Sequence, residues 1–218
     1  MDAPGVLMVV SGPSGSGKTS LCQALLAREP EARFSASYTT RPIRPGEREG
    51  VDYHFVDEPA FRRMISQKQF AEWAEVCGQL YGTSSAWLRS QMDLGVDVIL
   101  DIDYQGAYQV RDRLSEESPV LVFVIPPSFD VLKERLASRG TESEARVAER
   151  LQTAEEELKH VHVYDYVVIN DTFDRAVADL SAILHAERNS RARLLPRVRR
   201  SYGGLIPGKP PPPPGRRP

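Results

Sequence analysis

The sequence is poor in cysteine and has no long apolar run. Its two cysteines, Cys22 and Cys77, lack the CxxC and Cys/His spacings of metal sites, so we expect neither a disulfide scaffold nor a zinc site. A reducing compartment fits this usage. No segment approaches the roughly 20 apolar residues of a membrane span, and the N-terminal residues include neither a basic flank nor a small-residue cleavage site. These absences predict a cytoplasmic protein.

Histidine is scarce as well. The four histidines are His54, His160, His162 and His185. None has a ligand-like spacing or a nucleophile partner, so we interpret them as structural or surface residues. The chemistry must therefore come from other residue types.

Charge is unevenly distributed along the chain. Residues 186–218 carry nine basic side chains against one acid and contain eight of the 17 prolines, whereas the preceding residues have a net charge of −10. This composition predicts a disordered basic tail, either a solvated extension or a weak contact for RNA, a membrane or an SH3-type domain. The whole chain is 41% hydrophobic, which is sufficient for one large domain with a real core.

Strand and helix signals alternate along the chain. Four continuous apolar runs, GVLMVVSG, VDVILDID, PVLVFVIPP and YDYVVIND, are typical of strands buried on both faces of a parallel sheet. Helical patterns follow them at residues 17–28, 104–114, 128–160 and 173–188. This alternation predicts an α/β doubly wound domain. Residues 35–90 break the rhythm with an aromatic-rich stretch, which predicts short strands in an inserted subdomain.

The first apolar run leads directly into a phosphate-binding motif, G-x-x-x-x-G-K-[ST], placed between a predicted strand and a predicted helix as the motif requires. Its residues are Gly12, Pro13, Ser14, Gly15, Ser16, Gly17, Lys18 and Thr19. The glycines let backbone N–H groups face phosphate oxygens, and the helix N-terminus adds positive potential. Lys18 suits the β and γ phosphates and Thr19 suits Mg²⁺. We therefore expect a nucleoside triphosphate here, the alternative being a glycine-rich turn that arose by chance.

The second apolar run ends in two acids. Asp101 and Asp103 are two residues apart, a spacing that places strand side chains on one face, at the carboxyl edge of the sheet where ligands bind. Asp101 is the candidate for the water shell of Mg²⁺, and Asp103 for contact with a second substrate. Alternatively, both carboxylates face solvent and cap the following helix.

Residues 39–49, TTRPIRPGERE, hold two arginines on a chain stiffened by proline. Arg41 and Arg44 offer forked donors that match phosphate oxygens, and Tyr53 and Tyr81 add hydroxyl donors. A monophosphate dianion is costly to bury without several charged donors. These four side chains therefore predict a clamp for a monophosphate.

A set of residues suited to guanine lies in the same stretch. Guanine presents N–H donors at N1 and N2 and an acceptor at O6, so its pocket needs a carboxylate and hydroxyl groups. Glu72, Ser37 and Thr83 meet this demand, and Asp103 is available for a second N2 proton. Adenine would leave polar groups unpaired, which discriminates by about 10⁴-fold or more. Glu72 taken alone is more often an acid on a helix surface.

Six sequence blocks, in this order, closely resemble the guanylate kinase family. They are GPSGSGKTS, TTRPIRPGEREGVDYHFV, AEWAEVCGQLYGTS, DVILDIDYQGAYQVR, VIPPSFDVLKERLASRG and YDYVVIND, and they span about residues 4–185. The resemblance implies a P-loop NTPase fold, with its core at residues 4–34, 91–127 and 161–185, a GMP-binding subdomain at 35–90 and a helical lid at 128–160. It also implies Mg²⁺-dependent transfer of the γ-phosphate of ATP to GMP, and to dGMP, as a step of GMP recycling in purine nucleotide metabolism.

The resemblance also implies roles for individual residues. The family's donors to the phosphate of GMP fall on Arg41, Arg44, Tyr53 and Tyr81, and its guanine contacts fall on Ser37, Glu72, Thr83 and Asp103. Its lid arginines correspond to Arg139 and Arg150, which would neutralise charge on the transferring group and help to exclude water. With Lys18 and Arg44 they complete the expected catalytic set. Asn170 is a candidate contact to the adenine of ATP.

Alternative interpretations stay open at this stage. The lid segment pairs Arg135 with Arg139 and Arg146 with Arg150 at helical spacing, which an ordinary helix pair with surface arginines also explains. The intact phosphate loop argues against a catalytically silent interaction module, and a kinase for another monophosphate would differ only in its acceptor. A GTPase is less well supported, because no Asn-Lys-x-Asp motif occurs.

The expected partners are the small molecules ATP and GMP. Nucleic acid is not expected, because the single pair Arg41 and Arg44 lies beside Glu47 and Glu49 in a core of net charge −10. A membrane is not expected either. Both a monomer and a homo-oligomer agree with the sequence.

Overall fold

The computed structural model describes residues 3–76, 78–137 and 144–206, and within them the chain forms nine strands and eight α-helices. The strands are β1 (Leu7–Ser11), β2 (Ala32–Phe34), β3 (Ser37–Thr39), β4 (Tyr53–Phe55), β5 (Phe70–Val76), β6 (Gln79–Ser84), β7 (Asp97–Asp101), β8 (Val120–Ile125) and β9 (Tyr166–Ile169). The helices are α1 (Lys18–Arg28), α2 (Glu58–Ser66), α3 (Ser85–Asp93), α4 (Tyr104–Arg113), α5 (Phe129–Ala137), α6 (Glu144–Leu158), α7 (Phe173–Arg188) and α8 (Arg191–Tyr202). No helix in these ranges combines the length and apolarity needed to cross a bilayer.

A five-stranded parallel sheet forms the centre of the molecule, in the order β2-β7-β1-β8-β9. The central strand β1 is buried along its whole length, because helices cover both faces of the sheet. Met8 and Val10 pack with residues of α1 and α7, whereas Leu7 and Val9 pack with residues of α3 and α4. Full burial of each such side chain contributes roughly 1.5–3 kcal/mol. The predicted fold class, a parallel sheet flanked by helices, is confirmed.

The predicted helical segments are helical wherever the structure describes them, apart from one or two residues at some of their ends. The pattern at 17–28 corresponds to α1, that at 104–114 to α4, and that at 173–188 to α7, while 128–160 contains α5 and α6. Cys22 lies buried on α1 as a free thiol. Cys77 lies outside the described residues.

A second sheet is built from the residues inserted between β2 and β7. It has four strands in the order β4-β3-β6-β5, with β3 parallel to β4 and antiparallel to β6. Phe61, Phe70 and Leu80 form its small core. The sequence analysis anticipated the strands but neither α2 nor α3. The start of α2 did carry a local signal, because Asp57 accepts the Ala60 N–H at 2.6 Å as an N-cap.

The prediction of a disordered tail from residue 186 is wrong for the part of the tail that the structure describes. The predicted start of the tail, residue 186, falls inside α7, which continues to Arg188. Helix α8 begins at Arg191. Arg188 is fixed to the core by its bond to Glu29 at 3.0 Å. Residues 207–218, which contain the proline run, lie outside the described residues.

Helix α8 is held by a buried arginine. Arg193 is only 7% exposed and donates to the backbone carbonyls of Gly5 at 3.0 Å and Ser118 at 2.9 Å. Both carbonyls belong to segments far away in the sequence. Composition suggested disorder because arginine-rich segments rarely pack, whereas here one guanidinium donates to two backbone carbonyls, and that of Gly5 is buried.

Candidate active site

The phosphate-binding motif forms the turn between β1 and α1. Gly12, Gly15 and Gly17 have φ values of 147°, 90° and 87°, a region that L side chains rarely adopt. A Cβ at Gly12 would lie 2.0 Å from the Val124 carbonyl oxygen, so a larger residue does not fit there. The turn is closed by a hydrogen bond from the Ser16 N–H to the Pro13 carbonyl at 3.0 Å. A glycine-rich turn at a helix N-terminus is a built anion cradle.

The first two residues of α1 face the acid at the end of β7. Lys18 Nζ lies 2.8 Å from Asp101 Oδ1, and Thr19 Oγ1 donates to Asp101 Oδ2 at 2.6 Å. Because β7 is the parallel neighbour of β1, its carboxyl end meets the loop that follows β1. The structure thus brings together the three residues that the sequence analysis assigned to triphosphate and metal binding.

Asp103 occupies a different position from the one predicted. It lies beyond the end of β7 and caps α4, where its carboxylate accepts the Gly106 N–H at 2.8 Å. The prediction that Asp101 and Asp103 share a strand face is wrong, because the chain leaves the sheet after Asp101. The helix-capping alternative holds for Asp103.

Glu72, Thr83 and Ser37 form a connected group on the second sheet. Glu72 on β5 is only 5% exposed, and Thr83 lies opposite it on β6. Thr83 Oγ1 donates to Glu72 Oε1 at 2.5 Å, and Ser37 Oγ lies 3.2 Å from Thr83 Oγ1. Since Thr83 uses its proton on Glu72, Ser37 is the donor of the second bond. The alternative that Glu72 is a helix-surface acid is wrong.

The environment of Glu72 changes its protonation. Burial raises its pKa to about 7, the hydrogen bond from Thr83 opposes this shift, and the nearby charge of Asp103 adds to it. At neutral pH the carboxylate therefore exists in both forms. Such a group readily accepts N–H donors, because each donor favours the ionised form.

Gly106 is a residue that the sequence analysis missed. A Cβ at this position would lie 3.3 Å from Glu72 Oε2 and 3.0 Å from Ile102 Cδ1. The missing side chain lets Glu72 approach the start of α4, where Asp103 lies. The available signal was a glycine inside a predicted helix, because glycine destabilises a helix and contributes no side chain to its packing.

Residues 39–49, which we call the arginine loop, are held in place by hydrogen bonds to Glu47. Arg41 makes a two-pronged pair with Glu47, at 3.0 Å and 2.7 Å, and the Arg44 N–H donates to Glu47 Oε2 at 2.8 Å. This pairing raises the pKa of Arg41 and lowers that of Glu47. The guanidinium of Arg41 lies 5.3 Å from the centre of the Tyr53 ring, which in turn lies 6.0 Å from the Tyr81 ring. Arg41, Tyr53 and Tyr81 thus converge as predicted, while the side chain of Arg44 is exposed.

A cavity of about 430 Å³ lies between the phosphate-binding motif and the arginine loop with the second sheet. Thr19 and Asp101 line one side of it, and Ser37, Glu47 and Tyr53 line the other. Its volume is in the range of small-molecule sites, about 300–1,000 Å³. A group on the phosphate loop and a group beside the arginine loop would meet in this space.

A second cavity, of about 440 Å³, lies on the other side of the phosphate loop, lined by Gly15, Gly17, Arg135, Asn170 and Phe173. Asn170 is only 6% exposed, and its Nδ2 donates to the Ser16 carbonyl at 2.7 Å. Asn170 therefore lies beside the phosphate loop, with one side-chain donor committed to the loop itself. Its contact with the adenine of ATP stays a prediction.

Helices α5 and α6, in the segment predicted to be a lid, pack against the phosphate loop. A Cβ at Gly15 would lie 3.1 Å from side-chain atoms of both Leu132 and Leu136 on α5, so the loop and α5 are in close contact. Arg150 on α6 donates to Ser14 Oγ. Arg139, the other predicted lid arginine, lies outside the described residues.

Comparison with known proteins gives one consistent result. The sequence model of the family described as guanylate kinase matches residues 5–187. The chain is 50% identical over 184 residues to a guanylate kinase of Desulfitobacterium hafniense, covering 84% of this chain and 91% of that one. It is 46% identical over 202 residues to a guanylate kinase of Chromohalobacter salexigens, covering 93% and 91%. The crystal structure of guanylate kinase from Anaplasma phagocytophilum superimposes with a TM-score of 0.71 at 33% identity, covering 92% of this chain and 97% of that chain.

Proposed function

The chain belongs to the guanylate kinase family and transfers a phosphoryl group from ATP to GMP, and we propose that the cavity between the phosphate loop and the arginine loop is where this transfer occurs. ATP binds with its triphosphate on residues 12–19, and its adenine enters the cavity beside Asn170 and Phe173. Lys18 neutralises the β and γ phosphates. The site of action is the cytoplasm.

Mg²⁺ is the proposed metal, and the residues present fit it. The Thr19 hydroxyl and the Asp101 carboxylate converge within 2.6 Å of each other, and both are the oxygen donors that this ion prefers. Thr19 would hold it directly and Asp101 through water. When bound, the ion supplies charge neutralisation at the phosphates.

The second sheet is the proposed GMP-binding subdomain, within residues 35–90. Glu72, Thr83, Ser37 and Asp103 hold the guanine base. The observation that carries this proposal is the chain of hydrogen bonds from the half-buried Ser37 through Thr83 to the buried Glu72. Arg41, Arg44, Tyr53 and Tyr81 hold the phosphate of GMP. Since Glu47 already orients Arg41, the loop offers its guanidinium in a fixed position.

The residues act by positioning and by charge, without a covalent intermediate. The acceptor phosphate of GMP and the γ-phosphate of ATP repel each other unless cations lie between them. Arg44 and Lys18 supply this charge from the two sides of the cavity, and Arg139 and Arg150 supply it from the lid, within residues 128–160. Closure of the lid and of the subdomain excludes water as a competing acceptor.

A comparison of Arg44→Ala with Arg48→Ala tests this assignment. Arg48 lies in the same loop and is also exposed, which makes it a matched control. We expect Arg44→Ala to raise the KM for GMP roughly 10- to 100-fold, as loss of a charged phosphate donor does, with the KM for ATP within about twofold. Steady-state kinetics with each substrate varied in turn provides the measurement. Equal losses for both substrates would mean that the arginine loop is misplaced.

A further inference from the structure

Strand β5 lies at the edge of the second sheet, and helix α4 covers that edge. Within the described residues β5 pairs only with β6, so its other side carries backbone groups without a strand partner. Gln109 on α4 meets two of these groups, because its Nε2 donates to the Trp73 carbonyl at 2.9 Å and its Oε1 accepts the Trp73 N–H at 3.2 Å. One side-chain amide thus takes the place of a neighbouring strand at Trp73.

A second side chain of α4 meets β5 where the strand pairing is irregular. The register between β5 and β6 shifts between Phe70 and Glu72, as in a β-bulge. Arg113 Nη1 donates there to the carbonyls of Phe70 at 3.3 Å and Ala71 at 3.4 Å. Bulges re-aim side chains and are common beside active sites. Gln109 and Arg113, which we call the α4 pair, therefore hold β5 on both sides of Glu72.

The α4 pair shares its side of the helix with Gly106. Gly106, Gln109 and Arg113 follow one another at intervals of three and four residues, which places them on one helix face. A Cβ at Gly106 would lie 3.3 Å from Glu72 Oε2, so this face also comes close to the carboxylate itself. The N-cap of the same helix is Asp103. Helix α4 therefore fixes the position of Glu72 relative to Asp103.

The α4 pair also acts on the charge of Glu72. Burial raises the pKa of this carboxyl group, and the positive charge of Arg113 opposes that shift, so Arg113 favours the ionised form. An ionised carboxylate forms stronger hydrogen bonds with N–H donors than a neutral carboxyl group does. One helix thus contributes both to where the Glu72 acceptor lies and to how strongly it accepts.

We infer that Gln109 and Arg113 are positioning residues that set Glu72 against Asp103 for the N1–H and N2 amino donors of guanine. Both act through the backbone of β5. The α4 pair thereby determines specificity for the N2 amino group, because a site built to accept an N–H group rejects a base that lacks it only when its acceptors are correctly placed. This inference rests on the proposed guanine site at Glu72 and Asp103.

Gln109→Met tests the inference, because methionine keeps the approximate volume of glutamine and removes both hydrogen bonds to Trp73. The readout is kcat/KM for GMP divided by kcat/KM for IMP, whose hypoxanthine base is guanine without the N2 amino group. We expect this ratio to fall roughly 5- to 30-fold, the order of effect of losing one hydrogen bond to a charged group, with the KM for ATP within about twofold. Gln105→Met, at an exposed position of the same helix, is the matched control and should keep the wild-type ratio.

The outcomes separate a positioning role from a structural one. A merely structural residue changes the folded fraction, and with it the turnover of both acceptors equally. An unchanged ratio for Gln109→Met would therefore overturn the inference, whatever the melting temperature of the variant. Arg113→Met, at an exposed position, should lower the ratio in the same way, and it decides the question if Gln109→Met does not fold.

Glu72→Gln tests the guanine site separately. If Glu72→Gln lowers kcat/KM for GMP while the two α4 variants keep the wild-type ratio, the proposed guanine site stands and only the role of the α4 pair is refuted. If Glu72→Gln leaves kcat/KM for GMP unchanged, the guanine site itself is wrong, and the inference fails with it.

Discussion

At the scale of single residues, the proposed role of Glu72 in guanine recognition and the stability of the fold make opposite demands on this side chain. The residue is buried beside Asp103, and its pKa is raised to about 7 from the ordinary value of 4.5. In the ionised form it lacks the water that would solvate a carboxylate, so it destabilises the fold when charged. The same buried carboxylate is a strong acceptor for N–H groups such as those of guanine. We infer that this position trades stability for specificity.

Glu72→Gln should stabilise the protein in a pH-dependent manner. A carboxyl group whose folded pKa is raised contributes stability that is full below pH 4.5 and is lost as the pH rises through about 7. Glutamine does not ionise, so the variant keeps this contribution at high pH. Its free energy of unfolding should therefore exceed that of the wild type by roughly 1–3 kcal/mol at pH 8. The gain should shrink toward pH 5.

Thermal unfolding at the two pH values measures this difference. Glu75→Gln, on the same strand but exposed, is the matched control and should show no such trend. A stability gain for Glu72→Gln that is the same at both pH values would contradict the assigned pKa.

At the scale of helices and strands, local patterns were readable from the sequence. β1 and the phosphate loop could be predicted because a buried run, three glycines and Lys-Thr lie side by side in the chain. Helix α7 was also predicted with its observed ends. Helix α8 was not, because what holds it is the bond from Arg193 to carbonyls that only the fold brings near. Composition reports average tendencies and says nothing about one buried guanidinium.

Arg193→Ala should destabilise the protein without impairing catalysis. The substitution leaves the buried Gly5 carbonyl and the Ser118 carbonyl without the Arg193 donor, which costs roughly 1–3 kcal/mol. For a chain of this length we expect the melting temperature to fall by several degrees, with kcat and both KM values within about twofold of wild type. Arg191→Ala, at an exposed position on the same helix, is the control. Equal melting temperatures for the two variants would refute the anchoring role of Arg193.

At the scale of the whole molecule, the candidate site is assembled from segments that the sequence keeps apart. The phosphate loop, the end of β7 and the second sheet meet around one cavity. Residue types identified Glu72, Thr83 and Ser37 as candidates, yet their bonding order follows from strand pairing that no local pattern encodes. The roles of Glu47 and Gly106 likewise depend on tertiary contacts, which is why the sequence did not reveal them.

The central claim is that the second sheet selects guanine for phosphoryl transfer from ATP. Coupled ADP release with GMP, dGMP, AMP, UMP and CMP as acceptors tests it most directly. The account predicts efficient turnover of GMP and dGMP, because Glu72 accepts the guanine N–H groups. It predicts kcat/KM values lower by a factor on the order of 10⁴ or more for the other acceptors, because their base edges leave Glu72 and Thr83 unpaired. Comparable turnover of AMP, UMP or CMP would contradict the account.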